Sequence, residues 1–577
     1  MTIGPQFVNQ LRQALSLRRV TDGMAMLDKA EAAWGNLAPG HPNATELLLL
    51  IAQWIDVGYR DHHLLDSLLA RFAAQSRRSL PLADYIRLRM VEGFKALAVE
   101  EMDAAIEILD FVLRAEAGMA DDQLLTVAHF WKGRAHRKKG EYELAFKEIV
   151  CARQQAQNSN EDLVFTSVIQ IHESWLLFQK GMTKEALRLL SQAESILKNT
   201  DHYLARGNIE SARGRIVRRS GEYAKALEHF ECAIAIYSAG NPNHRNLARA
   251  LVNSAYVKRL LALQLRKRID DLTFKPAHAR TANQCTQVPP SAARSLRSRY
   301  QQICDEAISQ LQQAREIYAR QEHSGGLGAV IVNSGYLHLD GGNIDSASDE
   351  ALEAYRIGHE KSDQILMARA RILQASTENA KVEEQLGEEV DTALHANRAR
   401  EYSDEALALA KHTQNRHLLA AANIARGVTA ANDFFQDWEL ARQCVSEATD
   451  LIGAGESGHL LDELAALKTR IMRASGINDT LRGWSEGLIG DKTFQQVTEE
   501  FAEMVIPKVW QREGKKISRV AGRLSISPKK VRRILRRAGL LGGVGPTNSD
   551  SSAVEPPDFE RSVAVPKTLN QPTARHN

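Results

Sequence analysis

Eleven lysines and arginines lie between Arg512 and Arg537 with a single acid, Glu513, among them, so this stretch carries a formal charge of +10. Guanidinium and ammonium groups at this density donate charge-assisted hydrogen bonds to phosphate oxygens and to base edges, the chemistry of nucleic-acid binding. The whole chain of 577 residues carries only +3 and the tail from Ala538 contributes −1, which leaves −6 on everything before Arg512. The positive charge is therefore a local island. A charge run is ordinarily a solvated helix face, but such faces mix signs and here the acids are nearly missing.

Two short helices must hold these cations. Val520, Ala521 and Leu524 fall on one side of a helix over residues 518–524, a turn follows at Ser525-Ile526-Ser527, and Val531, Ile534 and Leu535 form the inward stripe of a helix from Pro528 to Arg537. Ser527 before Pro528 is a start signal, because serine caps free N–H groups and proline tolerates the first helical position. Upstream, Val497, Phe501, Val505 and Val509 predict an amphipathic helix from about Phe494, which Pro507 is expected to kink or end early.

With Gly539-Leu540 closing it, this pattern resembles the Fis-type helix-turn-helix found at the C-terminus of many bacterial regulators. The resemblance covers about thirty residues, Val520-Ala521, Leu524, Ile526, Val531 and Leu535 among them. It departs at Ser525, where glycine is common, at one extra residue between Gly514 and Ala521, and at Ile534, usually a polar position. The resemblance implies that the last helix enters the major groove, with Lys529, Lys530 and Arg533 at base edges. Arg519, Arg523, Arg532, Arg536 and Arg537 would meet phosphates, as would Ser518 and Ser527 through hydroxyl or helix-end N–H groups. One module this small binds weakly, so paired half-sites and a homodimer are expected.

Most of the remaining chain is a repeat. Small residues stand at Gly93, Gly133, Ser174, Gly214 and Ala255, spaced by 40, 41, 40 and 41. Twelve residues after each of the first four comes Ala105, Ala145, Ala186 or Ala226, and seven further on Val112, Ala152, Ala193 or Ala233. The spacing returns at Gly335, Ala347 and Ala354. A hairpin of two antiparallel helices explains it, with the small residue admitting the second helix and the two later positions facing back into that contact. Gly140-Glu-Tyr142, Gly181-Met-Thr183 and Gly221-Glu-Tyr223 place glycine where the chain must reverse in a left-handed conformation. GRAHRKKGEYELAFKEIVCA at 133–152 and GRIVRRSGEYAKALEHFECA at 214–233 resemble the tetratricopeptide repeat (TPR), although the period near 40 exceeds the roughly 34 residues of the strict repeat. The expected fold is all-α, a TPR-like helical-hairpin superhelix followed by a small helix-turn-helix module.

The expected domains are N-terminal helix pairs over 1–80, a TPR-like array over 81–473 with a flexible insertion at about 266–299, a linker at 474–493, the helix-turn-helix at 494–541 and a disordered tail at 542–577. The insertion is read from Pro276 and Pro289-Pro290, and 380–391 as a helix extension. Downstream, Ala399, Ser403 and Ala406, then Gly427, Ala441 and Ala448, imitate further hairpins. Arrays of this kind hold peptides on their concave face. Asn253 and Asn333, in the matching segments VNSAY and VNSGY, are candidates to grip an extended peptide, since an amide can pair with both N–H and C=O. The alternative is that they bond within the array.

Composition narrows the class further. The N-terminus has no secretion-signal pattern, no apolar run approaches membrane length, and five scattered cysteines without a CxxC fit a reducing cytoplasm. No HExxH, GxSxG, aspartate-rich calcium loop or true phosphate loop is present, and Gly487 to Thr493 only superficially resembles the last. His62-His63, His136 and His172 lack partners at metal-ligand spacing. A non-enzyme without metal or cofactor is expected: a cytoplasmic DNA-binding transcriptional regulator, nucleoid-associated when bound, whose array takes a peptide or protein partner. The alternative is a scaffold whose basic end docks on RNA or an acidic partner.

Overall fold

The structure is a computed structural model and describes residues 4–35, 37–116, 122–158, 163–273, 290–384, 389–452, 458–474, 492–538 and 540–541. Every regular element among them is a helix, and the chain divides into two compact units, residues 1–475 and 476–577.

The first unit opens with α1 (Pro5–Ser16), α2 (Val20–Lys29), α3 (Glu31–Trp34), α4 (Ala44–Val57), α5 (His63–Leu69) and α6 (Ala74–Arg77). Eight hairpins follow: α7 (Leu82–Ala98) with α8 (Met102–Glu116), α9 (Asp122–Lys139) with α10 (Tyr142–Asn158), α11 (Leu163–Gln179) with α12 (Thr183–Leu197), and α13 (Tyr203–Arg219) with α14 (Tyr223–Gly240). Then come α15 (Arg245–Thr273) with α16 (Pro290–Arg320), α17 (Ser324–Asp340) with α18 (Ile344–Glu360), α19 (Gln364–Glu384) with α20 (Glu389–Lys411), and α21 (Arg416–Ala430) with α22 (Trp438–Leu451). A last helix, α23 (His459–Ala474), covers the open side of the final pair with Leu460, Leu464, Leu467 and Ile471.

The small-residue spacing marks the hairpin contacts. Ala105, Ala145, Ala186, Ala226 and Ala347 are each 0% exposed, as are Val112, Ala152, Ala193, Ala233 and Ala354. A Cβ on Gly133 would lie 2.8 Å from Ile149, and one on Gly335 2.6 Å from Leu373, so larger residues there would push the helices apart. Gly140, Gly181 and Gly221 reverse the chain at φ of +84°, +83° and +80°. Ala399, Ser403 and Ala406 in α20, and Ala441 and Ala448 in α22, are likewise fully buried. The longer period has a plain cause: the helices of α9 to α14 run 15 to 18 residues each.

Helices invade the stretch expected to be a flexible insertion. α15 continues to Thr273 and α16 begins at Pro290, and Leu251 and Ala255 on one share a buried cluster with Ala307 and Leu311 on the other, packing them as a long pair. The rest of that stretch, 274–289, lies outside the described residues, as do most of the expected linker (475–491) and all of the expected tail (542–577).

Repeat arrays ordinarily contact only their neighbours, but this coil also ties distant turns together. Asp201 accepts hydrogen bonds from the backbone N–H groups of Val20 (2.6 Å) and Thr21 (2.8 Å), capping α2 from 180 residues away. Glu100, in the first hairpin turn, accepts from the N–H of Gly325 at 2.8 Å and pairs with Lys138. Gln414 donates its backbone N–H to Gly140 O at 3.0 Å and accepts from Glu143 N–H at 2.6 Å. Glu100 holds φ at +66°, so a non-glycine residue occupies a left-handed turn where its carboxylate makes this cross-link.

Among its described residues the second unit holds three helices, α24 (Phe494–Arg512), α25 (Ile517–Leu524) and α26 (Pro528–Arg537). Val520, Ala521, Val531, Ile534 and Leu535 are buried together, with Leu524 and Ile526 at their edge, as the apolar spacing predicts. The stripe expected on α24 is out of phase. Ile506 and Trp510 are its buried residues, with Ala502 and Val509 beside them, while Phe501 is 47% exposed and Phe494 85% exposed. Residues taken every fourth position drift about 40° per step at 3.6 residues per turn, so Val497 and Val509 lie about 120° apart. Nor does Pro507 end α24. The helix passes through it to Arg512. Burying Ile506 and Trp510, about 1.5–3 kcal/mol each, offsets the roughly 3 kcal/mol that an interior proline costs.

Candidate nucleic-acid interface and the inner cavity

Local chemistry fixes α26 before packing does. Ser527 Oγ accepts the N–H of Lys530 at 3.2 Å and Pro528 fills the first helical position. Ser525 takes φ +55°, which ends α25 in a left-handed residue and turns the chain toward α26. With Val531, Ile534 and Leu535 facing inward, helical geometry puts Lys529, Arg532, Arg533 and Arg536 on the outward arc.

The ten candidate DNA-contacting residues separate into groups. Lys529, Arg532, Arg536, Arg519 and Ser518 are exposed, and among the described residues none of these four cations forms an ion pair. Lys530 is half-buried at the helix start, where Ser527 is committed as the cap. Arg523 pairs with Glu513. Arg533 instead turns to α24, its Nη2 2.9 Å from Glu499, and Arg537 lies 3.3 Å from Glu499 and 3.1 Å from Glu503. Hydrogen bonding from Arg537 and the charge of Arg533 hold the Glu499 carboxyl below its ordinary pKa. Sequence pattern alone missed these two glutamates, which sit four apart on the face of α24 turned to α26.

In the array, Asn253 has both ends of its amide engaged: Nδ2 donates to Arg249 O at 2.7 Å and Oδ1 accepts from Arg218 at 3.2 Å. Asn333 is buried and its Nδ2 donates to Ala329 O at 2.7 Å, while its Oδ1 has no hydrogen-bond partner. Neither presents both ends of its amide to a passing backbone.

The first helices of several hairpins instead contribute to a cavity of about 230 Å³ that is rich in arginine. Arg134 and Arg137 come from α9, Arg215 from α13, and Arg245 and Arg249 from α15. Asp56 is the one acid of the lining among the described residues; it takes Arg134 at 2.5 Å and the Trp131 indole N–H at 3.0 Å. Burial alone would raise the Asp56 pKa, but the charge and hydrogen bond of Arg134 outweigh it and keep the carboxylate ionised. Arg137 lies over the Trp175 ring at 5.1 Å and Arg134 over Phe130 at 5.3 Å. Burial, then the like charges of Arg249 and Arg134, push the Arg137 pKa down to about 9. Burial lowers Arg215 and Arg245 as well, helped by Arg249 and Arg137 at Arg215 and by Arg134 at Arg245. His172, which has no partner at metal-ligand spacing in the sequence, lines this cavity and is held neutral by burial and by Arg137 and Arg134. GRAHR and GRIVR, at corresponding places 81 residues apart, are the sequence signal for Arg134 and Arg215, since both put arginine directly after the packing glycine.

A larger cleft of about 840 Å³ lies between α15, α16 and α17, and there Arg259 makes two hydrogen bonds to Asp340, at 2.5 and 3.1 Å. Among the described residues no helix is long and apolar enough to cross a membrane.

No protein-family model and no curated protein matches the sequence. Solved structures do. The chain is similar to a Rap protein complexed with competence and sporulation factor, at 12% identity and a TM-score of 0.49 over 73% of this chain and 99% of that one. The apo quorum sensor NprR from B. thuringiensis matches at 12% identity and 0.39, covering 78% and 98%. A monomeric IFIT1 mutant with Gppp-AAAA matches at 12% and 0.41, covering 78% and 95%.

Proposed function

We propose that this chain is a DNA-binding transcriptional regulator, in which the C-terminal unit contacts DNA as a Fis-type helix-turn-helix and the coiled array takes a peptide or protein partner. One observation carries the reading. α26 starts on a serine cap, buries Val531, Ile534 and Leu535, and turns Lys529, Arg532 and Arg536 outward with no carboxylate paired to them. A helix meant only for solvation gains nothing from unpaired cations on its outer arc, whereas a phosphate backbone supplies their counter-charge.

In this reading Lys529 and Lys530 stand nearest the base edges, and Arg533 joins them on leaving Glu499. Arg519, Arg532 and Arg536 meet phosphates. Two copies of the chain supply two half-sites. The role is binding throughout, with no catalytic step.

Crosslinking and genome-wide sequencing of bound DNA tests this reading against the scaffold alternative. Discrete peaks with the wild-type chain that vanish in Lys529→Glu/Arg532→Glu/Arg536→Glu support a regulator. The absence of peaks, together with protein partners that survive loss of residues 494–577, supports the scaffold.

A further inference from the structure

Four guanidiniums inside the array, those of Arg137, Arg215, Arg245 and Arg249, have no carboxylate paired to them among the described residues. The Nε atoms of Arg137 and Arg249 are buried without any hydrogen-bond partner. Asp56 is taken by Arg134, and Glu100 is committed to Lys138 and Gly325. Half-buried like charges without partners are costly, and a fold retains them where something outside the chain supplies the opposite charge.

The groups are also held in place. Arg137 rests on Trp175, Arg215 Nε donates to Ser211 O at 3.2 Å, and Arg249 donates to Asn208 Oδ1 at 2.8 Å. Asn208 is fixed in turn by the Tyr237 hydroxyl at 2.8 Å. Aromatic faces and amides therefore serve as shelves for the guanidiniums and leave them facing the cavity. In the neighbouring cleft, by contrast, Arg259 is neutralised by Asp340.

We propose that the cavity ringed by Arg134, Arg137, Arg215, Arg245 and Arg249 binds a compact small molecule carrying two or more phosphoryl groups. The cations converge on one small volume from three helices, which suits an anion of high charge in small space. An extended acidic peptide spreads single charges along about 3.3–3.6 Å of chain per residue and would leave most of the ring unmatched. A phosphoryl group brings up to two charges and three acceptor oxygens, and the planar guanidinium fork engages it bidentately.

The test uses the full chain, with inorganic pyrophosphate as probe, calorimetry for affinity and thermal melting for stability. One pyrophosphate per chain should bind and raise the melting temperature. Arg137→Gln/Arg249→Gln should weaken binding at least tenfold and should melt above the wild type without ligand, because the like-charge repulsion is relieved. Arg137→Lys keeps the charge but loses the fork, and should weaken binding severalfold in a folded chain. Lys529→Glu/Arg532→Glu/Arg536→Glu should bind pyrophosphate as the wild type does, which separates this site from the DNA-binding unit. The proposal is overturned by no binding to the wild type, by binding unchanged in both cavity variants, or by binding lost in the C-terminal variant. A double variant that melts below the wild type would make the guanidiniums structural, and tighter binding of triglutamate than of pyrophosphate would give the cavity to acidic peptides.

Discussion

Arg533 Nη2 lies 2.9 Å from the carboxylate of Glu499, so an arginine on the outward arc of the last helix is held by an acid of its own unit. Arg537 shares that acid and adds Glu503. These pairs compete with DNA for the same cations. Glu499→Gln/Glu503→Gln is therefore expected to bind duplex DNA more tightly. The plot of log affinity against log salt should steepen by up to about one phosphate contact, that of Arg537, at about 0.9 per contact. Fluorescence anisotropy at several salt concentrations measures both, and an unchanged slope would show that Arg537 does not reach phosphate.

Glu100 ties the first hairpin turn to the start of α17 through Gly325 and holds Lys138 beside it. Its side chain is 8% exposed. Glu100→Ala leaves Lys138 without its partner and the Gly325 N–H without an acceptor, and should cost on the order of 3 kcal/mol. Glu100→Gln keeps the acceptor and should cost less. Chemical denaturation of the full chain compares them, and hydrogen exchange at residues 324–328 should quicken in the alanine variant first.

His202 gives the array a pH signature. It is 5% exposed, and burial together with Arg18 brings its pKa down to about 3 from the ordinary 6.5. The unfolded chain therefore binds this proton more readily than the folded one. The stabilisation is complete above about pH 6.5 and is lost as pH falls toward 3, at about 1.4 kcal/mol per pH unit. Melting temperatures from pH 7.5 to 4.5 should fall for the wild type and fall less steeply for His202→Gln. Parallel curves would place the titration elsewhere.

The hairpin array was legible because close helix approach leaves few residue choices. Ala145 and Ala226 recur at fixed spacing since nothing larger fits between the paired helices. The last two helices were legible for a similar reason, with a serine cap, a proline and a short apolar stripe all agreeing. The phase of α24 was not, because valines four apart drift around the helix and the buried Trp510 lies off their line. The arginine cavity was hidden for a different reason. It depends on turns far apart in sequence meeting through Asp201, Glu100 and Gln414, and no local periodicity encodes such contacts. GRAHR and GRIVR carried half of the signal, but without the closed coil they read as solvated helix faces.

The central claim is that α26 contacts DNA through its unpaired outward cations. Its most direct test is anisotropy of the full-length chain on labelled duplex DNA, comparing the wild type with Lys529→Glu/Arg532→Glu/Arg536→Glu. The account predicts wild-type binding that weakens steeply with salt, and a loss of at least a hundredfold in the variant while the helical signal and melting of the array stay unchanged. Equal affinity of the two proteins, at equal salt, would contradict it.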